Sequence, residues 1–249
     1  MTYMKSKTIL FFFIFAHLQT ISQEADQSPL KWRRWSVGIG FSGDISYRFL
    51  VETDLPTSGG SFVPQDLIEA RNEMELPTLG FTSGILTEYW LNKRFSLECA
   101  VYYGARGYGT ENVSMTDETG TRVGFASSKT YYHFLDIPCR INIMSKLTER
   151  WFLSTGIGCS ANFLLERGFK AHLEWANGRV EDYVDIYESG YDTFNLSSIV
   201  AISAGYKWSD RSVVKAGPIF RYSLFRPTET PITEHLYQLG IQCCYVLSL

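Results

Sequence analysis

Beyond residue 22 the sequence lacks any long apolar run, and this excludes a transmembrane helix, which needs about 20 consecutive apolar residues. It also lacks a marked charge excess. Against 26 Asp and Glu stand 23 Lys and Arg, a net of -3, and the basic residues form no run. That excludes a nucleic-acid binder held by phosphate contacts. Cysteine is sparse and odd in number, five in 249 residues, with no zinc-type spacing and no disulfide framework. No G-x-S-x-G nucleophile elbow occurs, and only four histidines are available as a base. What is plentiful is aromatic: 15% of the chain. Such residues suit a pleated, half-buried strand surface. The length allows one large all-β domain or two smaller ones.

Residues 1–22 differ from the rest. Lys5 and Lys7 precede the apolar run Ile9 to Ala16, and Thr20 and Ser22 follow. This is the layout of a secretory signal peptide; an uncleaved anchor is the alternative, but the run is too short to span. No cysteine near the cleavage point points to lipidation. Residues 23–34 are expected to form a short periplasmic segment, and 35–249 the folded domain.

From residue 35 onward, apolar and polar residues alternate in about eight stretches of 12–16 residues. In WSVGIGF, Trp35, Val37, Ile39 and Phe41 oppose Ser36, Gly38, Gly40 and Ser42. In the last stretch Tyr237, Leu239, Ile241, Cys243, Tyr245 and Leu247 oppose Gln238, Gly240, Gln242 and Cys244. Strict alternation is the pattern of strands with one greasy and one polar face. Such segments exceed ordinary soluble strands. The connections alternate too. LNKR, SKLTER and SDR are short; about 48–77, 109–129, 167–192 and 226–234 are long. A transmembrane barrel has tight periplasmic turns and long outer loops. The predicted fold is therefore an all-β, eight-stranded antiparallel up-and-down barrel in the bacterial outer membrane, both termini periplasmic. Trp35, Trp90, Trp151 and Trp208, with Trp32 just before, fall at the short-turn end, where an aromatic girdle would sit. In such a barrel the final strand pairs with the first and leaves no free edge.

The inward row would carry Glu88, Glu98, Asp136 and Glu166 with Arg106, Arg140, Lys207, Lys215 and Arg221. An eight-stranded barrel is only wide enough for side chains to fill, so these predict a charge-balanced network plugging the lumen. A proton or ion pathway is the sharper alternative. No catalytic residue, metal or cofactor is predicted. A lipid-modifying enzyme would need a base at the outer rim, where His133 and His235 fall, with Ser127 and Ser128 near His133. Cys99, Cys139, Cys159 and Cys243 lie on apolar rows and read as reduced, lipid-facing residues. Trp175, Tyr183 and Tyr187 in the 167–192 loop are candidate partner contacts. That loop could also fold as a hairpin turning at Asn177-Gly178.

The stretch YYHFLDIPCRINIMSKLTERWFLSTGIGCSANFLL resembles the PorT-type outer-membrane β-barrel proteins of Bacteroidetes-like bacteria. The match rests on Tyr131, Tyr132, Phe134, Leu135, Ile137 and Pro138, a short turn, then Trp151 and Gly156-x-Gly158. Cys139 and Arg140 stand where that family has a Leu run. The last residues are similar to the C-terminal signal for outer-membrane insertion, ending on Leu249 rather than an aromatic. The resemblance implies an eight-stranded barrel without a catalytic motif, one branch of which serves protein secretion and gliding. The expected partners are outer-membrane lipid and another envelope or secretion protein. The expected role is a non-catalytic anchor or accessory subunit.

Overall fold

In the computed structural model, residues 34–52, 64–187, 192–225 and 232–249 are described. The signal-peptide and nearly all of the 23–34 expectations, Trp32 included, lie outside them. The elements are β1 (Trp35–Glu52), helix α1 (Pro64–Met74), β2 (Glu75–Trp90), β3 (Phe95–Thr116) and β4 (Arg122–Lys146). They continue with β5 (Trp151–Trp175), β6 (Val180–Ile186), β7 (Phe194–Lys207), β8 (Ser212–Ser223) and β9 (Ile232–Ser248).

Eight strands close a ring, each antiparallel to its neighbours: β1, β2, β3, β4, β5, β7, β8, β9 and back to β1. The seam is tight. β9 pairs with β1 continuously from Ser36↔Ser248 to Glu52↔Ile232. The final strand is thus held by its partner rather than frayed. The ninth strand, β6, stands outside the ring and pairs with β5 alone.

The two faces are inverted relative to a water-soluble protein. Val37, Ile39, Phe41 and Ile45 of β1 are exposed, while Ser42, Asp44, Ser46 and Arg48 are buried inside. The same holds on β9, where Leu239 and Ile241 are exposed and Gln238 and Gln242 are buried. Large contiguous apolar surface is not tolerated in water; a hydrocarbon surround with a polar interior accounts for both rows.

Three strands run far beyond the predicted 12–16 residues: β3 has 22, β4 and β5 have 25, whereas β1 and β9 exceed it only slightly at 18 and 17. Much of the 109–129 and 167–192 regions, expected as loops, is paired sheet. Beyond the membrane both faces meet water, so alternation fades although backbone pairing continues. The β3–β4 hairpin turns at 117–121 and the β5–β6 hairpin at 175–179, closed by Asp117 N–H to Thr121 O (2.9 Å) and Trp175 N–H to Arg179 O (2.9 Å). Gly120 and Gly178 take φ +80° and +83°, the left-handed position of a three-residue hairpin loop. The turn does fall at Asn177-Gly178.

Other departures have local causes. The all-β expectation misses α1, which begins at Pro64 with Asp66 in its first turn and Arg71 in its last, a dipole-matched helix. Leu165 is an unpaired bulge between Leu164 and Glu166 on β5. A bulge reverses the row, so Glu166 is exposed rather than inward. Trp35, Trp151 and Trp208 are exposed at the short-turn end, but Trp90 is only 6% exposed and points inward. Cys139, Cys159 and Cys243 are exposed on the outer row, Cys99 is half-buried there, and Cys244 is buried inside; all five are free.

Candidate functional site

The barrel interior is filled by ion pairs in two tiers. Nearer the short turns, Lys215 on β8 donates to both oxygens of Glu88 on β2, at 2.8 Å each. Its Nζ is also 3.9 Å from Glu98 on β3. Glu98 takes Arg140 of β4 at 2.7 Å and the Asn142 amide at 3.2 Å. Arg140 reaches Gln242 on β9 at 2.9 Å, and the Ser96 hydroxyl donates to Glu88 at 2.6 Å.

The second tier sits above it. Arg106 on β3 grips Asp136 on β4 at 2.6 and 2.5 Å. Asn162 donates to the same carboxylate at 2.6 Å and accepts from Ser197. Arg221 on β8 holds Asp44 on β1 at 3.1 and 3.2 Å. Thr82, Gln238 and Ser42 complete the Asp44 shell. Across the two tiers, Asp44, Glu88, Glu98 and Asp136 balance Arg106, Arg140, Lys215 and Arg221. A buried charge needs such a partner. The cavity among them, between Tyr102, Arg140 and Arg221, is about 10 Å³, room for about one water.

A third set closes the long-loop mouth. Arg71 of α1 reaches down to Glu75 at 2.6 Å and Glu234 at 3.1 Å. Glu75 also pairs with the fully buried Arg48. Glu234 accepts from Tyr108 at 2.8 Å and Tyr132 at 3.0 Å. Beneath it Tyr108, Tyr132, Phe134 and Leu236 pack together. Burial alone would lower the Arg71 pKa; its bond to Glu75, the nearby Tyr108 oxygen and the Glu234 carboxylate raise it well above the ordinary value.

The structure thus brings together Glu88, Glu98, Asp136, Arg106, Arg140, Lys215 and Arg221. Lys207 is not among them. It lies at the short-turn mouth and pairs with Asp210 of the adjoining turn at 3.1 Å. Sequence reasoning missed Asp44, Arg48, Arg71, Glu75 and Glu234. Asp44 was readable, since it continues the inward row Ser42, Asp44, Ser46. Arg71 was not, because a helix on a loop reveals no target.

An outward belt of aromatics rings the long-loop end of the membrane zone. Phe49 and Tyr237 stack at 4.8 Å, and the tilted pairs Phe81–Tyr103 and Phe163–Phe194 have ring centres 5.9 and 5.5 Å apart. Both rim histidines belong to it. His133 stacks on Tyr103 and shares a hydrogen bond with its hydroxyl. His235 stacks on Tyr222 at 5.9 Å with Nδ1 3.0 Å from the Ser223 carbonyl.

Beyond this belt β2 to β6 continue as a sheet, with a cavity of about 650 Å³ touching all five strands, among its walls Thr78, Thr110, Ser128, Ala171 and Tyr183. Of the candidate contact residues, Tyr183 and Tyr187 are exposed there. Trp175 is half-buried and donates to Glu181 of its own hairpin at 3.1 Å. His172 stands opposite both Ser127 and Asp182. Its Nδ1 is 2.7 Å from Asp182 and its Nε2 3.3 Å from Glu174, so both nitrogens are engaged by carboxylates. Those bonds raise its pKa above the ordinary 6.5.

A closed antiparallel ring with an apolar outside, an aromatic belt and an ion-paired interior defines an outer-membrane β-barrel. The family model of the outer membrane protein beta-barrel domain matches residues 57–224, and the chain belongs to that family. No curated protein sequence matches the chain. Among solved structures it is similar to Ail, the attachment invasion locus protein of Yersinia pestis (12% identity, 84% of this chain and 97% of that one, TM-score 0.31). It is similar also to Neisserial surface protein A (12%, 86% and 97%, 0.39). The outer membrane protease OmpT from Escherichia coli is another such structure (9%, 91% and 99%, 0.39).

Proposed function

We propose that this barrel is a non-catalytic anchor or accessory subunit that presents its projecting sheet to another envelope protein. The observation that carries this reading is the self-paired lumen, where the cavity between Tyr102, Arg140 and Arg221 holds about 10 Å³, beside a sheet that extends well beyond the membrane zone. A filled interior has no room for a solute or a substrate. The sheet, by contrast, exposes Val180, Tyr183, Val184 and Ile186 on β6, a strand with one unpaired edge among the described residues. The engagement of His133 and His235 within the aromatic belt supports this reading over lipid modification. The PorT-like hairpin supports a secretion assembly as the setting. The short turns and both ends of the ring lie at one end, which supports periplasmic termini and an external sheet.

The test is a mild-detergent pull-down of the full chain against a version lacking residues 176–187. That deletion removes β6 and its turn and leaves the ring intact. An envelope protein that co-purifies with the first and not the second is the expected result. No partner, together with altered membrane lipid that reverts on His133→Ala or His235→Ala, would refute it.

A further inference from the structure

Just past the aromatic belt, two lysines face each other on the outward row. Lys129 of β4 and Lys170 of β5 are register partners, which places their Cβ atoms about 4.5–5.5 Å apart. Both are exposed. Like charges directly opposite each other destabilise a sheet, so the pair calls for an anion. Among the described residues no carboxylate forms an ion pair with either lysine, although Glu111 lines the same cavity. Asp182 and Glu174 on the same row are committed to His172. Glu166 lies beside the Tyr131 hydroxyl. Across the neighbouring strands, Gly109 faces Lys129 and Val184 faces Lys170.

The site is also shaped. The Lys170 ammonium lies 5.2 Å from the centre of the Tyr131 ring, a cation–π contact that holds it against the barrel wall. The ring can lie there because its cross-strand partner is Gly168, where any Cβ would overlap the phenol. One register pair further out, Ser127 extends the row with a hydroxyl, opposite a His172 imidazole already held by Asp182 and Glu174.

Height decides what the anion is. The outward row of β4 runs Ile143, Ile141, Cys139, Ile137, Leu135, His133, Tyr131, Lys129. A strand rising ~3.3 Å per residue and tilted ~40° climbs roughly 2.5 Å per residue along the membrane normal. From Ile143 to His133 that is about 25 Å, the full apolar band. Lys129 stands about 10 Å further, and a lysine stem can bend back toward the interface. The ammonium groups therefore occupy the headgroup layer.

We propose that Lys129 and Lys170 form a binding site for a phosphate-bearing lipid headgroup in the leaflet that borders the long-loop end. Two ammonium groups a few ångströms apart match a phosphomonoester, which offers several acceptor oxygens and relieves the repulsion across the strand pair. The site rests on the barrel's membrane placement and does not depend on the partner reading, so either can fail alone.

The experiment is native mass spectrometry of the full barrel released from mild detergent, titrated with bis-phosphorylated lipid A. The arms are the same lipid after dephosphorylation, and inorganic phosphate. Wild type is expected to retain the phosphorylated lipid. Lys129→Gln with Lys170→Gln should bind it at least about tenfold more weakly, the loss of two charge-assisted contacts. Lys129→Arg with Lys170→Arg should restore binding, and Lys93→Gln at a short turn should behave as wild type. Heat-dependent gel mobility checks that each variant is folded; should the double variant fail, each single Gln variant is expected to lose about threefold. Equal binding by the double Gln variant, or by the dephosphorylated lipid, would overturn the proposal. So would inorganic phosphate binding as tightly as the lipid, because the site would then not read a headgroup.

Discussion

Replacing Lys215 with methionine removes the ammonium that neutralises Glu88 while keeping most of the stem. Its Nζ stands 2.8 Å from both Glu88 oxygens. At an effective dielectric of ~20, a contact at that distance is worth about 6 kcal/mol of Coulomb attraction. Desolvating the two ions costs several kcal/mol each, so the intact pair is close to neutral in net effect. Without the lysine, Glu88 keeps one donor, the Ser96 hydroxyl at 2.6 Å, and its desolvation is uncompensated. The expected loss is about 3–5 kcal/mol. Arg140→Met should cost less, about 1–3 kcal/mol, because Glu98 retains Asn142 at 3.2 Å and Lys215 at 3.9 Å. The double variant Glu88→Leu, Lys215→Met should recover most of the single-variant loss, since an apolar pair has no charge to strand. The assay is urea unfolding of the barrel in lipid vesicles, followed by tryptophan fluorescence, with gel mobility reporting the folded fraction. A Lys215→Met barrel within 1 kcal/mol of wild type, or a double variant no better than the single, would refute the reasoning.

Three further outcomes are expected. Gly178→Val should strain the β5–β6 turn by about 1–2 kcal/mol, since its φ is +83°; hydrogen exchange should quicken over 180–186 with the global unfolding midpoint unchanged, and a shifted midpoint would count against a separate arm. His172 is held above 6.5 by Asp182 and Glu174, so its contribution to the β5–β6 pairing is full below pH 6.5 and is lost as pH rises through the folded value; an NMR titration of the imidazole that gives an ordinary pKa contradicts the pairing. Trp90→Ala should cost about 3–5 kcal/mol as a buried ring lost, whereas Trp208→Ala, at 73% exposed, should chiefly weaken vesicle insertion; equal unfolding losses would undo the distinction.

The ring itself was legible because a membrane strand must alternate, and Trp35 to Ser42 or Tyr237 to Cys243 do so without a break. The short turns were legible for the same reason, as interruptions of that alternation. The projecting sheet was not. Residues 111–116, 122–127 and 172–175 meet water on both faces, so hydrogen bonding to neighbouring strands holds them without leaving a pattern in the side chains. Glu166 shows how a single residue defeats parity: the Leu165 bulge turns it outward. Trp90 shows the limit of reading position along a strand without reading its row. Lys207 keeps the inward parity but runs out of barrel, and solvent lets it pair with a turn carboxylate instead. The third ion-pair set escaped because its key member, Arg71, arrives from α1 and meets Glu234 across 163 residues of sequence.

A planar-bilayer recording on the purified, folded barrel tests the filled lumen most directly. With eight interior charges paired and about 10 Å³ in the cavity between Tyr102, Arg140 and Arg221, no steady single-channel step is expected at either polarity, and Lys215→Met should not create one large enough for a hydrated ion. Large, steady, reproducible openings from the wild-type protein would show a continuous water path and contradict a self-paired interior.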